Sequence, residues 1–162
     1  MMISPDMKAY DLDFATTSDV IQINKLLLKC GLPWEDITLM HLRHFLVLKD
    51  DTGLIGVIGM EVFDRVALLR SLAVRTQDRN RGFASELIKK AEKYTQSIGI
   101  QELYLLTTTA VDFLDKRGYQ RVDRSLAPVS LQGTGEFQNL CPSSAVCMVK
   151  YLREDHEGQH EQ

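Results

Sequence analysis

The stretch from residue 66 to residue 107 constrains this chain more than any other. It reads as an apolar strand over 66–74, a polar loop, a helix over 85–98 and a second apolar strand over 102–107. The helix carries Leu87, Ile88, Ala91, Tyr94 and Ile98 on one face, and Gly99 ends it. Two strands joined through a helix pair in parallel, because the crossover returns the chain to the end of the sheet from which it left. Upstream, the apolar runs 45–49, 54–63 and 66–74 are linked by Asp50-Asp51-Thr52-Gly53 and Asp64-Arg65, turns short enough for an antiparallel meander. The expected class is mixed α+β, with a central, mostly antiparallel sheet, one parallel pair and flanking helices.

The remaining elements fill in around that sheet. Residues 18–30 place Val20, Ile23, Leu26 and Leu27 at helical spacing, with Ser18 as cap and Gly31 as stop. A shorter helix is expected after Pro33, over about 34–42. Another covers 111–117 and stops at Gly118; a strand over 119–122, one helical turn within 131–137 and a final strand over 145–152 follow. Residues 153–162 lack apolar side chains and are expected to be disordered. A chain of 162 residues is the size of one domain, placed here over 1–152, and needs no disulfide or metal to fold.

Charge and composition narrow the function. The net charge of −3 argues against nucleic acid as the main partner, since duplex binding depends on Lys and Arg neutralising phosphates. No apolar run approaches the ~20 residues that span a bilayer, so no membrane segment is expected. The first residues, with Pro5 and Asp6, do not read as a secretory signal. Cys30, Cys141 and Cys147 then read as reduced thiols of a cytoplasmic protein.

Within this acidic chain, residues 70–90 carry Arg70, Arg75, Arg79, Arg81, Lys89 and Lys90 against only Asp78 and Glu86. The bases cluster where the strand over 66–74 passes through Arg79-Asn80-Arg81-Gly82-Phe83-Ala84 into a helix. A helix start leaves backbone N–H groups open and adds positive dipole character, and guanidinium groups suit phosphate oxygens. Such a loop is a cradle for a diphosphate. It lacks the G-x-x-x-x-G-K-[ST] and G-x-G-x-x-G patterns, so nucleoside triphosphates and dinucleotides are poorly supported.

Arg79-x-x-Gly82-x-Ala84 after an apolar strand resembles the R/Q-x-x-G-x-G/A signature of the GNAT acetyltransferases. The segment Ala110-Val111-Asp112-Phe113-Leu114-Asp115-Lys116-Arg117-Gly118-Tyr119 resembles that family's A-x-x-F-Y-x-x-x-G-F/Y stretch. The likeness covers roughly residues 8–152. Three shorter stretches, 69–74, 103–109 and 140–148, are similar to the N-acetyltransferases encoded in arsenic-resistance operons. The resemblance implies a parallel strand pair that splays apart, acetyl-coenzyme A as cosubstrate and direct attack of an amine on the thioester. The acceptor it implies is a small-molecule amine, and for the arsenic-operon group a glutamate-like amino acid with a phosphinyl or arsinyl side chain. Relatives often pair, so a homodimer is a further implied partner.

Carried onto this chain, the resemblance places Leu72, Ala73 and Val74 against the pantetheine arm. The diphosphate falls to the N–H groups of Arg81, Gly82, Ala84 and Ser85, with Arg79 and Phe83 in the same loop. Thr107, Thr108 and Phe113 complete the cofactor site. Glu61, within an apolar strand, is the candidate base, and an ion pair with Arg65 or Arg70 is the alternative. Arg70 either forks onto a substrate carboxylate or neutralises Glu61. Ser71 and His41 are assigned to the acceptor side, His41 within the segment 32–44 where relatives shape substrate choice. Leu114 stands where the family often has a tyrosine acid; Tyr119 and Tyr104 read more naturally as core or sheet residues, and no acid is assigned. Cys141, Cys147, His156 and His160 lack the spacing of a zinc site, and no metal is expected. Two other classes stay open: a coenzyme A-binding sensor without turnover, and an arsenic-binding protein using Cys141 and Cys147.

Overall fold

The computed structural model describes residues 9–152, and the tail 153–162 lies outside the described residues. Seven strands are present: β1 (Asp11–Phe14), β2 (Phe45–Asp50), β3 (Gly53–Phe63), β4 (Val66–Val74), β5 (Glu102–Thr107), β6 (Gln120–Arg121) and β7 (Val146–Tyr151). They form one sheet in the order β1-β2-β3-β4-β5-β7-β6. The β1/β2, β2/β3, β5/β7 and β6/β7 ladders are antiparallel, and β4/β5 is parallel. Among the described residues four α-helices accompany them: α1 (Val20–Lys29), α2 (Phe83–Ser97), α3 (Val111–Asp115) and α4 (Val129–Gln132). The mixed α+β class follows from this order, with the single parallel step at the crossover through α2.

Three local expectations are corrected. No helix covers 34–42: only a 3-10 turn at His41–His44 forms. The bonds there span three residues (Ile37 N–H to the Trp34 carbonyl, His41 N–H to that of Thr38), so tight turns replace the helical ladder. Thr38 and His41 also bond to each other through side chains, which competes with helix propagation. The short strand β1 was not anticipated. Its Asp11-Leu12-Asp13-Phe14 sequence is held by pairing with Lys49 to Leu46 of β2. The expected turn within 131–137 is instead α4 followed by a π-helical turn at Glu136–Leu140.

Packing divides the chain into two compact units. The first contains the described residues up to Gly59 together with Ser71–Ala91. Its core sets Ile23, Leu26 and Leu27 of α1 against Phe45, Val47, Val57 and Ala73, with Trp34 and Ile37 packed at the margin. Burying a side chain such as Ile23 or Leu27 fully contributes about 1.5–3 kcal/mol each. Gly59 is dictated by this core, since a Cβ there would stand 2.3 Å from Cζ of the buried Phe45.

The second unit contains Met60–Arg70 and the described residues from Glu92 onward. Its core joins Leu68, Tyr104, Leu131, Phe137, Cys147 and Val149. The parallel ladder pairs Val66, Ala67 and Leu68 with Glu102, Leu103 and Tyr104, and Leu69 and Arg70 lie beyond it. β5 continues to Thr107 along β7 instead. Arg124 pins the segment before β7, donating to the carbonyls of Pro142 (2.8 Å), Phe137 (3.0 Å) and Glu136 (3.4 Å).

Candidate functional site

The loop between β4 and α2 belongs to the first unit and is built around one carboxylate. Asp78, 5% exposed, bonds to Arg75 Nε through Oδ2 and to Arg81 Nη1 through Oδ1 at 2.7 Å. A second carboxylate, Asp50, reaches Arg75 Nη2 at 3.2 Å. The spacing Arg75, Asp78, Arg81 puts the two bases three residues to either side of the acid, and that was the overlooked signal in the sequence. Arg79 turns inward: its Nε donates to the Val74 carbonyl (3.1 Å) and its Nη2 to Cys30 Sγ (3.4 Å). Arg81 stays about half exposed and lies 4.9 Å over the Phe83 ring. Of the two loop arginines, Arg79 of the signature ties the loop to the ends of β4 and α1, while Arg81 faces outward at the start of α2.

The backbone completes this arrangement. Asn80 (φ 65°) and Gly82 (φ 84°) occupy the left-handed region, and α2 begins at Phe83. The Glu86 N–H bonds to the Gly82 carbonyl at 3.1 Å, the first such bond of the helix. The amides of Gly82, Phe83 and Ala84 therefore precede the helical ladder, with Ser85 next in the same turn. A Cβ built on Gly82 meets nothing within 4 Å, so space stands open beside these amides. Upstream, Ser71 is buried at φ 60° within β4, followed by half-buried Leu72 and buried Ala73 and Val74. A non-glycine residue with positive φ inside a strand is a local irregularity of the kind concentrated at functional sites.

The second unit holds the remaining predicted residues except His41. Glu61 and Arg70 are brought together: Arg70 Nη1 donates to Glu61 Oε2 at 2.8 Å, with the Arg70 side chain fully buried. Arg70 Nε also pairs with Glu136 Oε2 at 3.4 Å. Glu136 was missed because it lies far along the chain in a segment without periodicity. Thr107 Oγ1 accepts from the Ala110 N–H (3.0 Å) and Thr108 is exposed. Phe113 is half-buried under the Arg117 guanidinium, 3.6 Å from the ring centre. In the first unit, His41 Nδ1 accepts from the Thr38 N–H at 2.9 Å, which fixes the ring at the start of its turn.

Neither tyrosine weighed as an acid has a free hydroxyl proton. Tyr119 is 1% exposed and donates to Glu92 Oε2 (2.8 Å), which also pairs with Lys150 at 3.0 Å. Burial, then the Glu92 carboxylate, pushes the Tyr119 phenol far above its ordinary value. Tyr104 donates to Glu102 at 2.8 Å and is raised likewise by burial and then that carboxylate. Leu114 is 4% exposed. Burial pushes the Cys141 thiol up to about 12 and the Cys147 thiol up to about 11, so both are protonated at neutral pH. Among the described residues no group of three or more His, Cys, Asp or Glu is placed to hold a metal ion, and no helix is long and apolar enough to cross a membrane.

Comparison with known proteins bears on the family and the fold. The family profile described as the Acetyltransferase (GNAT) family matches residues 13–119. An uncharacterized N-acetyltransferase of Chlorobaculum tepidum is 30% identical over 117 residues, covering 69% of this chain and 73% of that protein. An amino-acid acetyltransferase of Aeromonas salmonicida is 24% identical over 101 residues, covering 61% of this chain but only 23% of that protein. In three dimensions, N-acetylglutamate synthase from Neisseria gonorrhoeae, complexed with coenzyme A and N-acetyl-glutamate, superimposes with a TM-score of 0.78 at 21% identity. That match covers 90% of this chain and 36% of the synthase, so the likeness is to about a third of the larger protein. With a family profile spanning most of its length and a relative that shares its extent, this chain belongs to the Acetyltransferase (GNAT) family.

Proposed function

We propose that this chain transfers the acetyl group of acetyl-coenzyme A to the amine of a small, glutamate-like amino acid, of which phosphinothricin and arsinothricin are examples. The observation that carries the reading is the loop before α2. Gly82 sits at φ 84° with open space where a Cβ would be, beside amides that precede the first helical bond. Asp78 holds Arg81 in the same loop. A doubly charged diphosphate fits such a place, because the helix dipole, the amides and one guanidinium act in concert. Leu72, Ala73 and Val74 would meet the pantetheine arm and one of their N–H groups the acetyl oxygen as charge develops there. Thr107, Thr108 and Phe113 are assigned to the rest of the cofactor site, and Ser71 and His41 to the acceptor side.

In the reaction a neutral amine nitrogen bonds to the acetyl carbon while the carbon–sulfur bond breaks. The sulfur leaves as thiolate, a tolerable leaving group because thiols ionise near ~8.5. The proton lost from nitrogen goes to Glu61, directly or through water. The relatives' names support an amino acid acceptor: one is an amino-acid acetyltransferase and another is N-acetylglutamate synthase. The arsenic-linked acceptor and a homodimer rest on the sequence likeness alone, and a cytoplasmic setting on the reading of the cysteines and of the first residues.

Replacing Gly82 tests the cradle. Gly82→Val is expected to weaken acetyl-coenzyme A binding at least ~100-fold by calorimetry, since a branched side chain would fill the space beside the amides and resist the positive φ. Unchanged affinity in a folded variant would refute the proposed cofactor site. For the acceptor, thiol release from acetyl-coenzyme A is measured across free amino acids and phosphinothricin. A sensor without turnover is the second reading, favoured by the burial of Leu114 and the engagement of both tyrosines. It predicts tight cofactor binding with no acceptor-dependent thiol.

A further inference from the structure

The Arg70 cluster has a composition that a simple ion pair lacks. Arg70 projects from β4 with its side chain fully buried, between Glu61 of β3 and Glu136 of the π-helical turn. Both carboxylates are nearly buried as well, 10% and 5% exposed at the side chain. Two carboxylates thus draw on one guanidinium. Behind Glu136, the Cys141 thiol lies 3.6 Å from Oε1 and stays a neutral donor. Arg124, on the turn at Arg124–Leu126, bonds to the backbone carbonyls of Glu136 and Phe137 and fixes where Glu136 stands. The π turn itself is a widened helical turn, a geometry found frequently at functional sites.

We infer that Glu136 is a positioning residue for Glu61, with Arg70 as the shared link, and that Arg70 serves this cluster rather than a carboxylate of the acceptor. Arg70 meets Glu61 through Nη1 and Glu136 through Nε, so one planar guanidinium is held from two sides. Glu136 thereby fixes the plane and direction in which Arg70 meets Glu61, and with it where the Glu61 carboxylate stands. Lysine offers one point charge and cannot bridge both carboxylates in this way. The inference rests on the reading of Glu61 as base, and it also predicts that the acceptor's carboxylate is held by groups other than Arg70.

The coupling is tested by a double-mutant cycle of Glu61→Gln and Glu136→Gln, both isosteric changes, read as initial-rate thiol release with amino-acid acceptors. Glu136→Gln is expected to lower kcat about 10-fold with the KM for acetyl-coenzyme A unchanged, and to lose little further in the Glu61→Gln background. Glu136→Asp keeps the charge on a shorter arm; it is expected to restore part of the lost kcat, and it replaces Glu136→Gln in the cycle if that variant does not fold. An undiminished kcat in the folded Glu136 variant, or losses that simply add in the double variant, overturns the inference. Undiminished transfer by Glu61→Gln removes Glu61 from the role of base; the coupling is then read from the urea unfolding of the same four proteins, where additive losses overturn it.

Discussion

Asp78 shows how much of the proposed cofactor loop depends on a residue that does not itself face a ligand. The carboxylate is nearly buried and joins Arg75 to Arg81, and the two contacts are unequal. Arg75 is largely shielded and shares Asp50, whereas Arg81 is half exposed, so solvent screens its pair to below ~1 kcal/mol. Most of the stabilisation therefore lies on the Arg75 side, and the Arg81 contact works by orientation. Asp78→Asn is expected to lower stability by about 1–3 kcal/mol in urea unfolding, because a buried charge partner is lost. The same variant is expected to weaken acetyl-coenzyme A binding by roughly 3- to 10-fold through the freed Arg81, a change near ~1 kcal/mol. Tighter binding in Asp78→Asn would mean that Asp78 competes with the diphosphate for Arg81, and the orienting role would be lost.

At the level of elements, the start of α1 carries a prediction with a definite sign. Asp19 accepts from the Thr16 N–H at 2.8 Å and pairs with Lys49 of β2, so one carboxylate both closes the 3-10 turn Thr17–Asp19 that leads into α1 and ties it to the sheet. Burial alone would raise its pKa, but Lys49 and Thr16 outweigh it and hold the carboxyl below its ordinary value. A depressed folded value stabilises above the unfolded pKa of ~3.9, and that contribution vanishes as pH falls through the lowered value. Asp19→Asn should therefore be less stable than the natural chain at pH 7, by about 1 kcal/mol, and the gap should close towards pH 3. A gap that is independent of pH would leave only a shape effect. Elements of this kind also show where the sequence was informative. The long periodic ones, α1, α2 and β2 to β5, were legible because their periodicity reports burial directly. β1 was not, since four residues with two aspartates carry no such signal, and its partner β2 is distant in the chain, Asp11 pairing with Lys49 and Phe14 with Leu46. The segment 34–42 misled because Pro33 reads as a helix start, while Thr38 and His41 satisfied each other instead. In the site, the loop could be read from a local motif. The Glu61–Arg70 pair could be read as one of two alternatives, but its extension to Glu136 could not, since only the folded chain brings that residue to Arg70.

For the molecule as a whole, the distribution of charge matters more than its sum. The chain is acidic, at −3, yet its proposed diphosphate loop lies in the one basic stretch. That stretch is weaker than its composition suggests: Arg75 is offset by Asp50 and Asp78, and Arg79 is spent on Val74 and Cys30. Arg81 and the exposed Lys89 and Lys90 remain to attract an anionic cosubstrate. Exposed charges act over roughly 10 Å at 0.1 M salt and over only about 3 Å at 1 M. Raising salt from about 0.05 to 0.5 M is therefore expected to increase the KM for acetyl-coenzyme A several-fold while leaving kcat nearly unchanged, because attraction precedes the chemical step. Arg81→Ala is expected to raise KM at low salt and to flatten its salt dependence, as the most forward of these charges. The measurement is initial-rate thiol release across ionic strength for both proteins. A KM indifferent to salt in the natural chain, or an equally steep dependence in Arg81→Ala, would place the cosubstrate's charge away from this loop.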